Sequence, residues 1–157
     1  MRNGTMDDIT KFLQCKRVAI VGVSRDDKHF SRAIFREFLA KGYDAIPVNP
    51  HAKELEGHKC IAGLADIDPP AEAALIMTGL PEATDRLVRE CNELHIRNIW
   101  IYKGSNDKSK NDPLIELCRQ QGSTAIGGHC PMMFLPQAMW FHRAHGFILK
   151  LAGSYPH

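Results

Sequence analysis

The sequence predicts an α/β fold, a doubly wound parallel five-stranded sheet in a three-layer α/β/α arrangement, formed by a single domain over residues 1–157. Three observations predict it. Five short apolar runs, Val18 to Val21, Asp44 to Val48, Ala73 to Met77, Asn98 to Tyr102 and Thr124 to Ile126, alternate with segments of helical periodicity. The first of them is apolar at every position, as a strand covered by helices on both faces requires. The connecting turns are short, so right-handed crossovers and parallel pairing follow. A strand order of 3-2-1-4-5 is assumed for the five strands.

Ahead of the first strand, Ile9, Phe12 and Leu13 recur at helical spacing between Asp7 and Gln14, predicting a short amphipathic helix across the sheet. The run RVAIVGVSR, Arg17 to Arg25, then carries the chain into a strand that stops at Gly22, where a Cβ would obstruct the turn. Ser31 precedes a helix from about Arg32 to Lys41 with Ile34, Phe35, Phe38 and Leu39 on one face. Strand, loop and helix therefore follow in the order that places unsatisfied helix amides against an anion. This is not the dinucleotide motif GxGxxG, because Ser24 and Asp27 stand at its second and third glycine positions.

Gly42 fits the left-handed position after the helix, and the second strand follows at once. That strand ends in Asn49-Pro50, where a dinucleotide site usually carries an acid for the ribose hydroxyls. An acid would repel a phosphate on the ribose. Asn49, with His51 and Lys53 close behind, suits a phosphorylated ribose, which either coenzyme A, with its 3′-phosphate, or NADP supplies. Lys53 alone reads equally well as a solvated surface charge.

Residues 54–70 read as an irregular crossover with one hint of helix at Leu64 to Ile67. The third strand ends in Thr78-Gly79, and Pro81 suits the first turn of a helix marked by Ala83, Leu87, Val88, Cys91 and Leu94. The fourth strand reaches Lys103-Gly104. A polar loop leads to Pro113 and a helix carrying Leu114, Leu117 and Cys118, closed by Gly122. The last strand runs into Gly127-Gly128 and His129-Cys130-Pro131. Residues 131–157 form an apolar C-terminal extension rich in Met, Phe and Leu, which must be covered. Packing back on the sheet is the favoured reading, and a homodimer joined through this segment is the alternative.

A net charge of +2, with no basic stripe and no aromatic and basic interleaving, argues against nucleic acid as a partner. No apolar run is long enough to span a bilayer, and the opening MRNGTMDD lacks the apolar middle of a signal peptide, so a cytoplasmic protein without a membrane partner is expected. Five cysteines without CxxC spacing argue against a disulfide framework, and Cys91 and Cys118 fall on apolar helix faces as core thiols. His129, Cys130, His142 and His145 allow a metal- or thiol-dependent site, although their spacing matches no recognised zinc pattern.

Taken together, VAIVGVSR, GYDAIPVNP, the strand ending MTGLP and the strand ending YKG resemble the CoA-binding domain family. These are small Rossmann-like proteins akin to the N-terminal domain of the succinyl-CoA synthetase α subunit. The resemblance runs from about Lys11 to Pro131. It implies a coenzyme A site at the C-terminal rim of the sheet, with Gly22, Val23, Ser24 and Arg25 in the phosphate loop. It implies Val48, Asn49, Pro50 and Lys53 near the phosphorylated ribose and adenine, and Thr78, Gly79 and Pro81 along the third turn. The physical chemistry agrees, since backbone amides and Ser24 offer donors to a pyrophosphate and Arg25 can bind it bidentately. Around Cys130-Pro131 the chain departs from the synthetases, which place Asn before the Cys and Gly after the Pro, where His129 and Met132 stand here. No role is carried to these residues, and no catalytic residue is assigned.

The resemblance does not extend to ligase chemistry, which in the synthetases uses a phosphorylated histidine in a second domain and a separate nucleotide-binding subunit. A nucleotide-binding module that binds coenzyme A or an acyl-CoA without catalysis is the expectation. The alternatives are an NADP-dependent oxidoreductase and, second, an enzyme built on the C-terminal His and Cys residues.

Overall fold

The computed structural model describes residues 4–104 and 113–135. Helix α1 (Met6–Gln14) opens on a capping box, in which Thr5 Oγ1 accepts from the Asp8 N–H and the Asp8 carboxylate accepts from the Thr5 N–H. Its buried Phe12 meets Trp100 edge-on at 5.2 Å, fixing the helix across the sheet as its periodicity predicts. Strand β1 (Arg17–Val21) follows, then α2 (Phe30–Ala40) and β2 (Asp44–Val48). A two-residue antiparallel ribbon, β3 (Glu54–Leu55) and β4 (His58–Lys59), comes next, and a 3-10 turn at Leu64–Asp66. Strand β5 (Ala73–Ile76), α3 (Pro81–Glu93), β6 (Asn98–Ile101), α4 (Pro113–Gln120) and β7 (Thr124–Gly127) complete the winding.

All five core strands are parallel, as expected, but their order is β2-β1-β5-β6-β7. In terms of the five predicted strands this is 2-1-3-4-5, which corrects the assumed 3-2-1-4-5. After β2 the chain crosses back over β1 and pairs with its far side, Val18 to Ala73 through Val21 to Ile76. Strand β2 is consequently an edge, the place where Pro47, which has no N–H to donate to a ladder, is tolerated. Among the described residues a single bridge continues beyond that edge, between Val48 and Ile61.

Alternation along the strands divides the core into two layers. Val18, Ile20, Leu75, Trp100 and Ile126 face α1, α2 and the segment after β7, packing with Phe12, Phe35, Phe38 and Leu135. Ala19, Val21, Ala74, Ile76, Ile99 and Ile101 face the other way, against Val88 and Cys91 of α3 and Ile115 and Cys118 of α4. Burial pushes the Cys91 thiol up to about 12, as befits a cysteine used as a core hydrophobe.

Helix α2 starts two residues earlier than Ser31 suggested, because His29 is its cap: the Ser31 N–H donates to His29 Nδ1 at 3.2 Å. The ribbon β3–β4 was also not expected within the irregular crossover. The start of the apolar C-terminal extension packs back on the sheet, with Leu135 buried and Phe134 6.0 Å from Trp100. The rest of that extension, with His142, His145 and the surface offered for a homodimer, lies outside the described residues. Among the described residues no helix is long and apolar enough to cross a membrane.

Candidate functional site

Strand order dictates where a ligand can enter. Between β1 and β5 the winding reverses direction, since the chain leaves β1 toward β2 on one side and leaves β5 toward β6 on the other. The loops after these two strands diverge there and leave a crevice at their carboxyl ends, the switch point at which doubly wound sheets bind ligands. A cavity of about 880 Å³ occupies this place.

Gly22 closes the floor of the crevice. Its φ is +90°, and a Cβ on it would stand 2.8 Å from the Met77 carbonyl oxygen and 3.0 Å from its carbon. The Gly22 N–H donates to the Val48 carbonyl and the Met77 N–H to the Val21 carbonyl, so three strand ends are tied at one point. The turns after the first, second and third predicted strands thus emerge on one rim.

Beyond Gly22 the chain is held from outside the cavity. Arg32 of α2 is buried, and its Nη1 donates to the carbonyls of Ser24 and Arg25, both at 3.3 Å. Arg36, one turn on, donates to the Asp27 carbonyl at 3.1 Å. Both guanidinium groups converge on Oε1 of Glu56 in the turn of the ribbon, with Arg32 Nε at 3.0 Å and Arg36 Nε at 2.8 Å. Hydrogen bonds from Arg36, then Arg32, hold the Glu56 carboxyl below its usual range. In a trans peptide the N–H points opposite to the carbonyl, so the Arg25 N–H faces away from Arg32. Among the described residues the N–H groups of Val23 and Arg25 have no protein partner.

The start of α2 adds a relay. Ser31 Oγ accepts from the Ser24 N–H at 2.9 Å and lies 2.8 Å from His29 Nδ1. With Nδ1 already accepting from the Ser31 N–H, the Ser31 hydroxyl donates to it and Nε2 carries the ring proton. Ser24 Oγ accepts from the Asp26 N–H at 3.1 Å and retains its own proton to donate.

Of the residues singled out in the sequence, Gly22, Val23, Ser24, Arg25, Val48, Asn49, Pro50 and Thr78 line this one cavity. Lys53, Gly79 and Pro81 do not line it: Lys53 is exposed beside the ribbon, and Pro81 starts α3. Asn49 is committed locally, its Nδ2 donating to the Val23 carbonyl at 2.9 Å and its Oδ1 accepting from the His51 N–H at 2.8 Å. It therefore braces the first loop against the second.

Sequence reasoning missed one wall of the cavity, which α3 supplies through Ala83, Arg86, Leu87 and Glu90. Their i, i+3, i+4, i+7 spacing was the available signal, since it places all four on one helix face. His29 also lines the cavity and was not assigned to it, whereas His51, read with Asn49 as suiting a phosphorylated ribose, lines it too. Side-chain charge around the cavity is mixed, with Arg25 and Arg86 against Asp26 and Glu90.

The residues after β7 form a separate environment. The Trp100 indole N–H donates to the His129 carbonyl at 2.9 Å, and His129 is buried against Phe134. Burial raises the Cys130 thiol, opposed by hydrogen bonds from the Met132 N–H, the Tyr102 hydroxyl and the Met133 N–H. Among the described residues no group of three His, Cys, Asp or Glu side chains could hold a metal ion.

The family model described as a CoA binding domain matches residues 16–136. The chain is 28% identical over 131 residues to the uncharacterized protein YneT of Bacillus subtilis (strain 168), covering 83% of this chain and 93% of YneT. A crystal structure of Prb, the PH1109 protein redesigned for binding, superposes with a TM-score of 0.72 at 24% identity, covering 84% of this chain and 90% of Prb. A hypothetical protein from Pyrococcus horikoshii OT3 gives 0.70 at 24% identity over 82% and 87% of the two chains. The apo dinucleotide-forming acetyl-coenzyme A synthetase 1 of Ca. Korarchaeum cryptofilum gives 0.57 at 22% identity, covering 71% of this chain but 26% of the synthetase. These structural likenesses establish the shared fold.

Proposed function

We propose, from the premise that this chain belongs to the CoA-binding domain family, that the switch-point cavity binds coenzyme A or an acyl-CoA, and that the chain serves as a binding module rather than a catalyst. One observation carries the reading. The first loop has its carbonyls drawn outward by Arg32 and Arg36, while the amides of Val23 and Arg25 are unpaired beside a cavity of about 880 Å³. Backbone amides turned toward a concavity at a helix start favour a pyrophosphate.

In this reading Gly22, Val23, Ser24 and Arg25 hold the pyrophosphate, with the Ser24 hydroxyl and the Arg25 guanidinium as further donors. Val48, Asn49 and Pro50 border the adenosine, and Lys53 reaches the ribose 3′-phosphate from the exposed side of its turn. Thr78 lies along the third turn, whose exposed Leu80 offers apolar surface at the rim, while Gly79 and Pro81 shape its backbone. The whole chain then acts as one domain around this site.

Calorimetric titration of the purified protein with CoA, dephospho-CoA and NADP tests the proposal. Saturable binding of CoA, weaker binding of dephospho-CoA and no binding of NADP are expected. Saturable NADP binding without a response to CoA would reverse the assignment.

A further inference from the structure

Glu56 does not line the cavity, yet it stands at the centre of the cluster that shapes it. It occupies the turn of the β3–β4 ribbon with a φ of +51°, a left-handed conformation uncommon for a glutamate. Such a conformation persists where surrounding interactions over-determine it. Here they do: Arg32 and Arg36 both donate to its Oε1, and the same two side chains hold the carbonyls of Ser24, Arg25 and Asp27. Arg32 is buried, so its guanidinium needs a carboxylate to remain in that orientation.

We infer that Glu56 is a positioning residue for the anion site, acting through Arg32 and Arg36 to keep the loop carbonyls turned away from the cavity and the Arg25 amide turned toward it. The inference rests on the reading of the cavity as a CoA site. It makes the ribbon, a segment remote from the first loop in sequence, part of the binding apparatus.

The sign of one substitution separates positioning from simple electrostatics. Glu56→Gln removes a negative charge beside a site for a polyanion, so Coulomb's law alone gives tighter binding. Positioning gives the opposite, because a neutral amide oxygen replaces the carboxylate charge that holds both guanidinium groups on one atom. We expect CoA affinity to fall about ten-fold, the scale of losing an aligned charge-assisted hydrogen bond. Amide hydrogen exchange of the ligand-free protein across residues 23–28 should quicken in the same variant. Glu56→Asp keeps the charge on a shorter stem and should lie between wild type and Gln on both measures.

Unchanged or tighter CoA binding by a folded Glu56→Gln protein overturns the inference. So does a Glu56→Asp protein that loses as much as Gln. If Glu56→Gln fails to fold, loop exchange in Glu56→Asp decides, with faster exchange supporting the inference and wild-type exchange overturning it. If wild-type protein binds no CoA, the functional proposal fails by itself. Loop exchange in Glu56→Gln then still decides the role of Glu56, and wild-type rates overturn it.

Discussion

Replacing Gly22 with alanine places a methyl carbon 2.8 Å from the Met77 carbonyl oxygen and 3.0 Å from its carbon, in a backbone conformation with φ of +90°. Neither contact is with a flexible side-chain end, so strand β5 or the loop must move. The left-handed conformation alone costs roughly 1–2 kcal/mol for a residue with a Cβ. Overpacking against an ordered backbone adds about 1–3 kcal/mol. Gly42 separates the two, because its φ is +82° while a Cβ there meets nothing within 4 Å. Gly42→Ala therefore reports the conformational cost and Gly22→Ala reports that cost plus the collision. At about 2–4 °C per kcal/mol for a domain of this size, Gly22→Ala should melt roughly 2–12 °C below Gly42→Ala. Thermal unfolding followed by circular dichroism measures both. CoA titration should show a loss of affinity in Gly22→Ala alone, since the displaced loop is the one proposed to hold the pyrophosphate. Equal melting temperatures for the two variants would refute the close approach of the β1 loop to β5.

Ser24→Asp places a carboxylate beside the pyrophosphate position; at about 4 Å and a near-surface effective dielectric the repulsion is up to about 4 kcal/mol, less with screening. A loss of CoA affinity of at least about 30-fold with little change in melting temperature is expected by calorimetry, and unaltered affinity would remove Ser24 from the site. Lys53→Ala should weaken CoA by about two- to five-fold, the range of an exposed ion pair, and leave dephospho-CoA unaffected. Equal losses for both ligands would show that Lys53 does not touch the 3′-phosphate. For Cys91, the thiol held protonated to about 12 in the fold stabilises it fully below the unfolded thiol's range and progressively less as pH rises toward 12. Denaturant melts should show stability falling above pH 9 in wild type and falling less in Cys91→Ala, and parallel alkaline arms would contradict this.

Much of the winding was legible because a buried parallel strand writes itself as a continuous apolar run. Strand β2 has the predicted limits, and β1, β5, β6 and β7 differ by a residue at one end. Strand order was not read, although Pro47 carried the relevant signal. A residue without an N–H marks an edge strand, and the assumed order would have placed it inside the sheet. The β3–β4 ribbon escaped for a different reason. Its turn has φ of +51° at Glu56 and +75° at Gly57, the conformation that Asn-Gly usually signals. Glutamate at the first position gives no such signal, and only Arg32 and Arg36, far away in sequence, account for it.

The cavity was legible where it is built from strand ends and illegible where side chains reach across. Gly22 through Arg25 and Val48 through Pro50 follow from the rule that ligands meet loops at the carboxyl ends of strands. That Asn49 is spent bracing Val23, and that His29 caps α2 through an imidazole nitrogen, depends on hydrogen bonds between segments. Residue type alone showed neither contact, and it started α2 after Ser31.

A backbone amide chemical-shift titration of the intact protein with CoA tests the central claim most directly, because it reports both occupancy and place. The account predicts saturation below millimolar CoA, with the largest shifts at Val23, Ser24, Arg25, Asn49 and Thr78. No saturable shifts at millimolar CoA, or shifts confined to residues far from the ends of β1, β2 and β5, would contradict it.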